Sequence, residues 1–162
     1  MVLMFFIFLF LAIFLQTNIF PSLLHTNIKP DIFLALTLYL SLFSDSSKGI
    51  IYGFLSGMVL DIFTEGAIGP NTLSLMTLGF FVGYIKSFVL LENIPAQTLL
   101  VIVSTLYQWI LLFIYSGVFQ LAINSISEIT SFLFTQILLN IVSTFSIFFL
   151  FDFLKQKQSL KI

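Results

Sequence analysis

The sequence contains no cysteine and no arginine, and it has few charged residues of either sign. The absence of cysteine excludes disulfides, thiol chemistry and cysteine–metal sites. The absence of arginine excludes the bidentate contact that a guanidinium makes with a phosphate or carboxylate. Charged residues make up 8% of the 162 residues, whereas soluble domains carry about 25%. The net charge is −1 and there is no basic tract, so we expect no nucleic-acid partner.

Apolar residues, by contrast, are abundant: they make up 59% of the chain, and the mean hydropathy is +1.15. A chain with so little charge cannot cover itself with a polar surface, so the lipid bilayer must surround it. In lipid, backbone polar groups must bond within the protein, as in helices or a closed barrel. Barrel strands alternate apolar and polar residues, but runs such as 145–151 are unbroken. The sequence therefore predicts an all-α fold, a polytopic transmembrane helix bundle forming one integral membrane domain over 1–162.

Polar, proline and glycine clusters divide the chain into about six spans. The predicted spans are 2–20, 31–43, 49–64, 72–91, 96–122 and 129–153. The second and third are shorter than the ~20 residues of a full crossing. They are therefore either tilted in a locally thin region or partly re-entrant. Ser125 and Glu128 have the spacing of a capping box before the last span.

The lysines predict the orientation of these spans. With an even number of spans and both termini in the cytoplasm, only Lys29 lies on the outer side. The lysines on the inner side are then Lys48, Lys86, Lys155, Lys157 and Lys161. This bias agrees with the positive-inside rule, whereas the inverted topology opposes it.

Glycines at four-residue spacing mark the third span. Gly49, Gly53 and Gly57 lie on one face of a helix, and Asp61 continues the same stripe. Glycines on one face allow another helix backbone to approach closely. The stripe therefore either packs inside the chain or docks the membrane helix of a partner. A second glycine pair, Gly79 and Gly83, repeats the spacing in the fourth span, with the same two interpretations.

Two aspartates, Asp31 and Asp61, are equally far along the chain from the turn near Ser46. In an antiparallel hairpin they should reach similar depth, at its outer end. Asp31 follows a proline and can cap the N-terminus of its helix. Asp61 lies in the last turn of its helix, close to hydrocarbon, where a carboxylate is costly. Either Lys29 or the free N–H groups of the turn 65–71 would satisfy it, as a structural lock or as a ligand site.

Amide side chains lie near the middle of the last two spans. Gln108 is in the fifth span and Asn140 in the sixth, where Gln136, Asn140 and Thr144 share one face. Amides at this depth usually bond to neighbouring helices. We expect these midplane polar residues to hold helices together, with a substrate-lining stripe as the alternative.

The sequence offers no constellation for catalysis. The only histidine, His25, lies in the first outer linker and cannot form a metal site alone. No Gly-x-Ser-x-Gly, His-Glu-x-x-His or Walker motif occurs. We therefore expect no enzyme activity, no cofactor and no metal.

One group of motifs resembles the bacterial rod shape-determining protein MreD family. The motifs are Pro30-Asp31, Gly49-x-x-x-Gly53-Phe54-x-x-Gly57-x-x-x-Asp61, and Gly69 with Asn71. The resemblance covers the second to fourth spans, and elsewhere it rests on size and hydropathy. The chain departs from the family in having no arginine in its inner loops.

The resemblance implies a non-catalytic membrane scaffold of the cell-elongation machinery, which organises lateral peptidoglycan synthesis. It implies a place in the bacterial inner membrane. By the same resemblance the partners are a bitopic MreC-like protein, MreB, RodA and the transpeptidase that partners RodA.

An alternative function is a small-molecule-binding membrane subunit of an energy-coupling transporter. The substrate-binding subunits of energy-coupling vitamin transporters are similar in size and span count. Those subunits typically carry an Ala-x-x-x-Ala stripe on the first span, where this chain has only Ala12. A weaker third possibility is a small lipid-modifying membrane enzyme.

Overall fold

The structure is a computed structural model that describes residues 2–20, 22, 28–64, 68–86, 88, 93–118 and 126–159. Within these residues the chain forms six α-helices, one π-helical turn and no strand. The helices are α1 Val2–Phe14, α2 Ile32–Leu42, α3 Ser46–Phe63, α4 Pro70–Ile85, α5 Ile94–Val118 and α6 Ile126–Ser159. The predicted all-α helix bundle is thereby confirmed.

Several boundaries differ from the prediction. The π-helical turn Leu15–Ile19 extends α1 nearly to the predicted end of the first span at residue 20, whereas α3 begins at Ser46 instead of residue 49. The helix α4 ends at Ile85, where the prediction extended to residue 91. The helix α6 continues to Ser159, six residues beyond the predicted end. Hydropathy alone misplaced such ends because a helix can continue through polar residues, as α6 does after residue 153.

The short second span is the centre of the bundle. All ten residues of 32–41 are buried, and α2 packs against α1, α3, α4 and α6. An 11-residue helix is only about 16 Å long, roughly half of the ~30 Å hydrocarbon core. Because its neighbours surround it, α2 can be apolar on every side.

By length and composition alone, two helices in the described part of the chain could cross a membrane. They are Ile94–Tyr115 and Ser131–Phe153. They belong to α5 and α6, which pack against each other. Only 22% of each window is buried. Large apolar side chains cover these outer faces, as expected for contact with lipid.

Aromatic rings join the end of α6 to α1 and α2. The Phe151 ring stacks on Phe8 with centroids 4.1 Å apart and on Tyr39 at 4.4 Å. The Tyr39 hydroxyl donates to Asp152 Oδ1 at 2.9 Å. These contacts place the C-terminal half of α6 beside the C-terminal half of α2.

Candidate functional site

The glycine stripe of α3 faces α4 along its whole length. A Cβ atom at Gly49 would meet the Gly79 carbonyl oxygen, and one at Gly53 would meet the Leu75 carbonyl oxygen. At Gly57 it would meet the Thr72 Cα. The two backbones therefore touch at every turn of α3, and the stripe is occupied from within the chain.

The second glycine pair belongs to the same seam. A Cβ atom at Gly79 would meet the Gly49 carbonyl oxygen, so these two glycines are reciprocal. A Cβ atom at Gly83 would lie 2.8 Å from the Ser46 Cα. The end of α4 thus lies beside the start of α3, and the glycines of both helices pack inside the chain, in one interface.

Asp61, the last member of the stripe, closes the seam at the other end. Its Oδ2 accepts from the Gly69 and Thr72 amides, each at 2.9 Å, and from the Thr72 hydroxyl. Its Oδ1 accepts from the Asn71 amide at 3.1 Å and from Asn71 Nδ2 at 3.0 Å. The carboxylate is 2% exposed and caps the N-terminus of α4, where free N–H groups and the helix dipole favour an anion.

Gly69 and Pro70 favour the backbone conformation of this cap. Gly69 has a φ of 127°, a backbone conformation that side-chain-bearing residues rarely adopt. Pro70 follows at the start of α4, where its missing N–H costs nothing. Of the two partners expected for Asp61, the structure places the turn amides against it, and not Lys29. Thr72, just past the predicted turn, supplies two further donors.

Asp31 caps α2. The Leu34 amide donates to Asp31 Oδ1 at 2.9 Å, as expected of an N-cap. Gln108 Nε2 donates to Asp31 Oδ2 at 2.8 Å, so α5 contacts the same carboxylate. The Asp31 backbone amide donates to Asn140 Oδ1 at 2.8 Å, which joins α6 to the same residue. Asp31 is 8% exposed.

The other amides extend this cluster. Gln136 Nε2 donates to the Lys29 carbonyl oxygen at 2.7 Å and to Asn140 Oδ1 at 3.3 Å. Asn140 Nδ2 donates to Thr105 Oγ1 at 3.2 Å. Gln108 and Asn140 therefore join α5 and α6 through Asp31 and Thr105, with no direct hydrogen bond between the two among the described contacts. Thr144, on the same face of α6, is buried and its hydroxyl has no partner among the described residues.

These polar side chains line a cavity of about 380 Å³. The cavity lies at the end of the bundle where α2 and α4 begin and α3 ends. The residues that line it are Gln16, Lys29, Asp31, Leu60, Thr64, Asn71, Thr105, Gln108, Trp109, Leu112, Phe132, Gln136 and Asn140. Asp31 and the cap of Asp61 thus lie at the same end of the molecule, because Asn71 belongs to both.

Sequence reasoning missed several members of this site. Thr105 lies three residues before Gln108 and four before Trp109, spacings that a helical projection of α5 would have revealed as one face. Gln16 lines the cavity from the π-helical turn, which no sequence pattern predicted. His25 and Ser125 lie outside the described residues, as does the side chain of Glu128.

The described residues contain no group of three or more histidine, aspartate or glutamate side chains placed to hold a metal ion. The arrangement consists of one buried carboxylate, several amides and hydroxyls, and a lysine at the wall. It can bind and orient a polar group.

The comparisons with known proteins point to one family. No curated protein and no solved structure matches the chain. The family model of the rod shape-determining protein MreD matches residues 1–158. The match extends from α1 nearly to the end of α6, so it includes both the glycine seam and the polar cavity. The chain therefore belongs to the MreD family of rod shape-determining membrane proteins.

Proposed function

We propose that this protein acts in rod shape determination as a non-catalytic membrane scaffold, which holds partner proteins through contacts between transmembrane helices. The observation that carries the proposal is the family match over residues 1–158. The glycine seam supports it, since backbone contact between α3 and α4 gives the bundle a stiff frame.

The proposed partners follow from the family. The first is a bitopic MreC-like protein, whose single helix would pack against this bundle in the bilayer. MreB, RodA and the transpeptidase that partners RodA belong to the same proposed assembly. The chain would then help to organise lateral peptidoglycan synthesis without chemistry of its own.

The docking surface in this proposal is the lipid-facing side of the bundle. The glycine face of α3 is filled by α4, so no helix of a partner fits there. Large apolar side chains remain exposed on the outer helices, including Phe10 at 73%, Val103 at 54% and Phe134 at 65%. In lipid such a surface associates through van der Waals packing with another apolar helix.

The proposed orientation places both termini in the cytoplasm of a multi-pass inner-membrane protein. Lys48 lies in the first turn of α3 and Lys86 follows α4, and these two ends meet where Gly83 approaches Ser46. Lys29 lies at the opposite end, beside the polar cavity. The end with more lysine faces the cytoplasm under the positive-inside rule.

Photocrosslinking in living cells tests the proposal. A rod-shaped bacterium lacking its own MreD would receive the chain with a photoreactive residue at Phe10, Val103 or Phe134. We expect restored rods and a crosslink to a single-span MreC-like protein from at least one of these positions. Rods restored without any such crosslink would contradict docking on this surface. Cells that stay round despite a normal amount of protein in the membrane would contradict the shape role.

A further inference from the structure

The polar cavity beside Asp31 is lined by a carboxylate, a lysine and several amide side chains. Its wall is built by α2 with the segment before it, by the end of α3, by α4, α5 and α6, and by the π-helical turn after α1. A volume of about 380 Å³ falls within the ~300–1,000 Å³ of small-molecule sites. Such sites typically combine a few convergent polar groups with an apolar wall.

The carboxylate of Asp31 is the strongest feature of this cavity. It is 8% exposed and receives hydrogen bonds from the Leu34 and Phe33 amides and from Gln108 Nε2. No cation forms an ion pair with it among the described residues. A carboxylate accepts about four hydrogen bonds, so Asp31 retains capacity for further donors. A buried carboxylate without a counter-ion is costly in a membrane protein, and a cationic partner would offset that cost.

Amide oxygens near Asp31 are also available as acceptors. Gln16 Oε1 is buried and has no hydrogen-bond partner among the described residues. Gln108 and Gln136 use their NH₂ groups as donors, which leaves their carbonyl oxygens to accept. An orphaned buried acceptor indicates a missing donor, from water or from a ligand. Gln16 belongs to the π-helical turn Leu15–Ile19, and π-helical turns occur frequently at functional sites.

Lys29 lines the same cavity and has no ion pair within the described part of the chain. The cavity therefore combines a negative group with a positive one, two residues apart in sequence. Trp109 and Phe132, whose ring centroids are 5.3 Å apart, supply part of the apolar wall.

We propose that this cavity binds a compact zwitterion, with a primary ammonium against Asp31 and the amide oxygens and an anionic group toward Lys29. A primary ammonium has three donors and one positive charge, which match the free acceptors and the unpaired carboxylate. A ligand with only anionic groups would face Asp31, and one with only cationic groups would leave Lys29 unpaired. A free amino-phosphate and the phosphoethanolamine headgroup of a lipid share the required chemistry. This binding role goes beyond the scaffold function and does not depend on partner docking.

Two binding measurements test the proposal and separate the two sources. The purified chain would be titrated calorimetrically with soluble phosphoethanolamine. In parallel, native mass spectrometry would measure lipid retained from micelles containing equal amounts of phosphatidylethanolamine and phosphatidylcholine. We expect at least one of the two ligands to bind. Saturable binding of the soluble probe alone assigns a free zwitterion, and at least tenfold retention of phosphatidylethanolamine over phosphatidylcholine assigns a headgroup. Absence of both would overturn the proposal.

Variants test whether binding occurs at this cavity. Asp31→Asn removes the charge but keeps an N-cap oxygen, and should weaken binding at least tenfold. Lys29→Gln should also weaken it at least tenfold, and it leaves the bonded Lys29 carbonyl in place. Asp45→Asn is the matched control, because Asp45 is exposed at the opposite end beside Lys48. If Asp31→Asn does not fold, Lys29→Gln decides the matter. Unchanged binding in Lys29→Gln would contradict the assignment.

Discussion

Asp61 and Asp31 are both buried carboxylates at one end of the bundle, yet their surroundings differ. Asp61 is surrounded by five donors from three residues of the α4 cap, Gly69, Asn71 and Thr72. Asp31 accepts from the Leu34 and Phe33 amides and from Gln108 Nε2, and it lines an open cavity. The structure thus gives Asp61 the bonding of a structural cap, while Asp31 keeps capacity for a ligand.

Asp61→Asn should destabilise the protein strongly. An asparagine has one side-chain acceptor oxygen, and its NH₂ group would face donors of the α4 cap. Hydrogen bonds to charged groups contribute about 1.5 to 3 kcal/mol, so we expect a loss of stability in that range. Unfolding of the purified protein in detergent measures it. Asp45→Asn is the control, since Asp45 makes no side-chain cap bond and should change stability by less than about 0.5 kcal/mol. Equal effects of the two changes would contradict the capping role.

The bond between Gln108 and Asp31 should appear as energetic coupling. Asp31→Ser keeps an N-cap oxygen but removes the Oδ2 atom that Gln108 contacts. A double-mutant cycle of Asp31→Ser with Gln108→Leu should give a coupling of about 0.6 to 1.7 kcal/mol. The cycle of Gln108→Leu with Asn140→Leu should give less, because those side chains meet only through residue 31. A larger coupling in the second cycle would favour direct contact of the two amides.

The sequence predicts these residues better than it predicts their partners. Asp31 as an N-cap and the turn amides as partners of Asp61 follow from local rules about helix ends. The contacts of Asp31 with Gln108 and Asn140 join residues 77 and 109 positions apart. Such contacts depend on how whole helices pack, which no local pattern in one sequence specifies.

At the scale of elements, the glycine seam of α3 and α4 is the tightest contact of the bundle. The four-residue spacing predicted which face of α3 allows close approach of another helix. The structure identifies α4 as the helix that packs there. The sequence left the occupant open, because glycines permit close approach by any helix, from the same chain or another. The short α2 was equally ambiguous, since a buried central helix and a re-entrant segment have similar composition.

Alanine at Gly49 or Gly79 should separate α3 from α4. Each new Cβ atom would meet the carbonyl oxygen of the other glycine, and overpacking of this kind costs about 1 to 3 kcal/mol. Once one alanine has separated the helices, the second adds less, so the double variant should cost less than the sum. Unfolding in detergent measures these changes. Met58→Ala, on the exposed side of α3, is the control, and an equal loss there would contradict the seam.

At the scale of the whole molecule, the positions of the polar cavity and the lysines bear on how the bundle is oriented in the membrane. The polar cavity and Lys29 occupy one end, while Lys48 and Lys86 occupy the other. Hydropathy and lysine positions predicted the helical membrane class and an orientation. They did not predict the cavity, because residues far apart in the sequence form its wall.

Reporter fusions test the orientation. A fusion after Ile162 should report the cytoplasm, and one in the segment 124–128 should report the outer side, because the positive-inside rule places the lysine-rich end inside. Periplasm-active and cytoplasm-active reporters at both positions make the assay self-controlled. The same side at both positions would rule out this topology.

The most direct test of the scaffold account is the amount of MreC-like partner recovered per molecule of chain in the membrane, compared between wild type and Gly53→Leu. Because Gly53 faces the α4 backbone, we predict that the leucine lowers the amount of chain. The partner recovered per remaining molecule should stay near the wild-type value, since the proposed docking surface is the lipid-facing side of the bundle. A normal amount of chain with partner recovery reduced at least tenfold would contradict the account and place the partner on the glycine face.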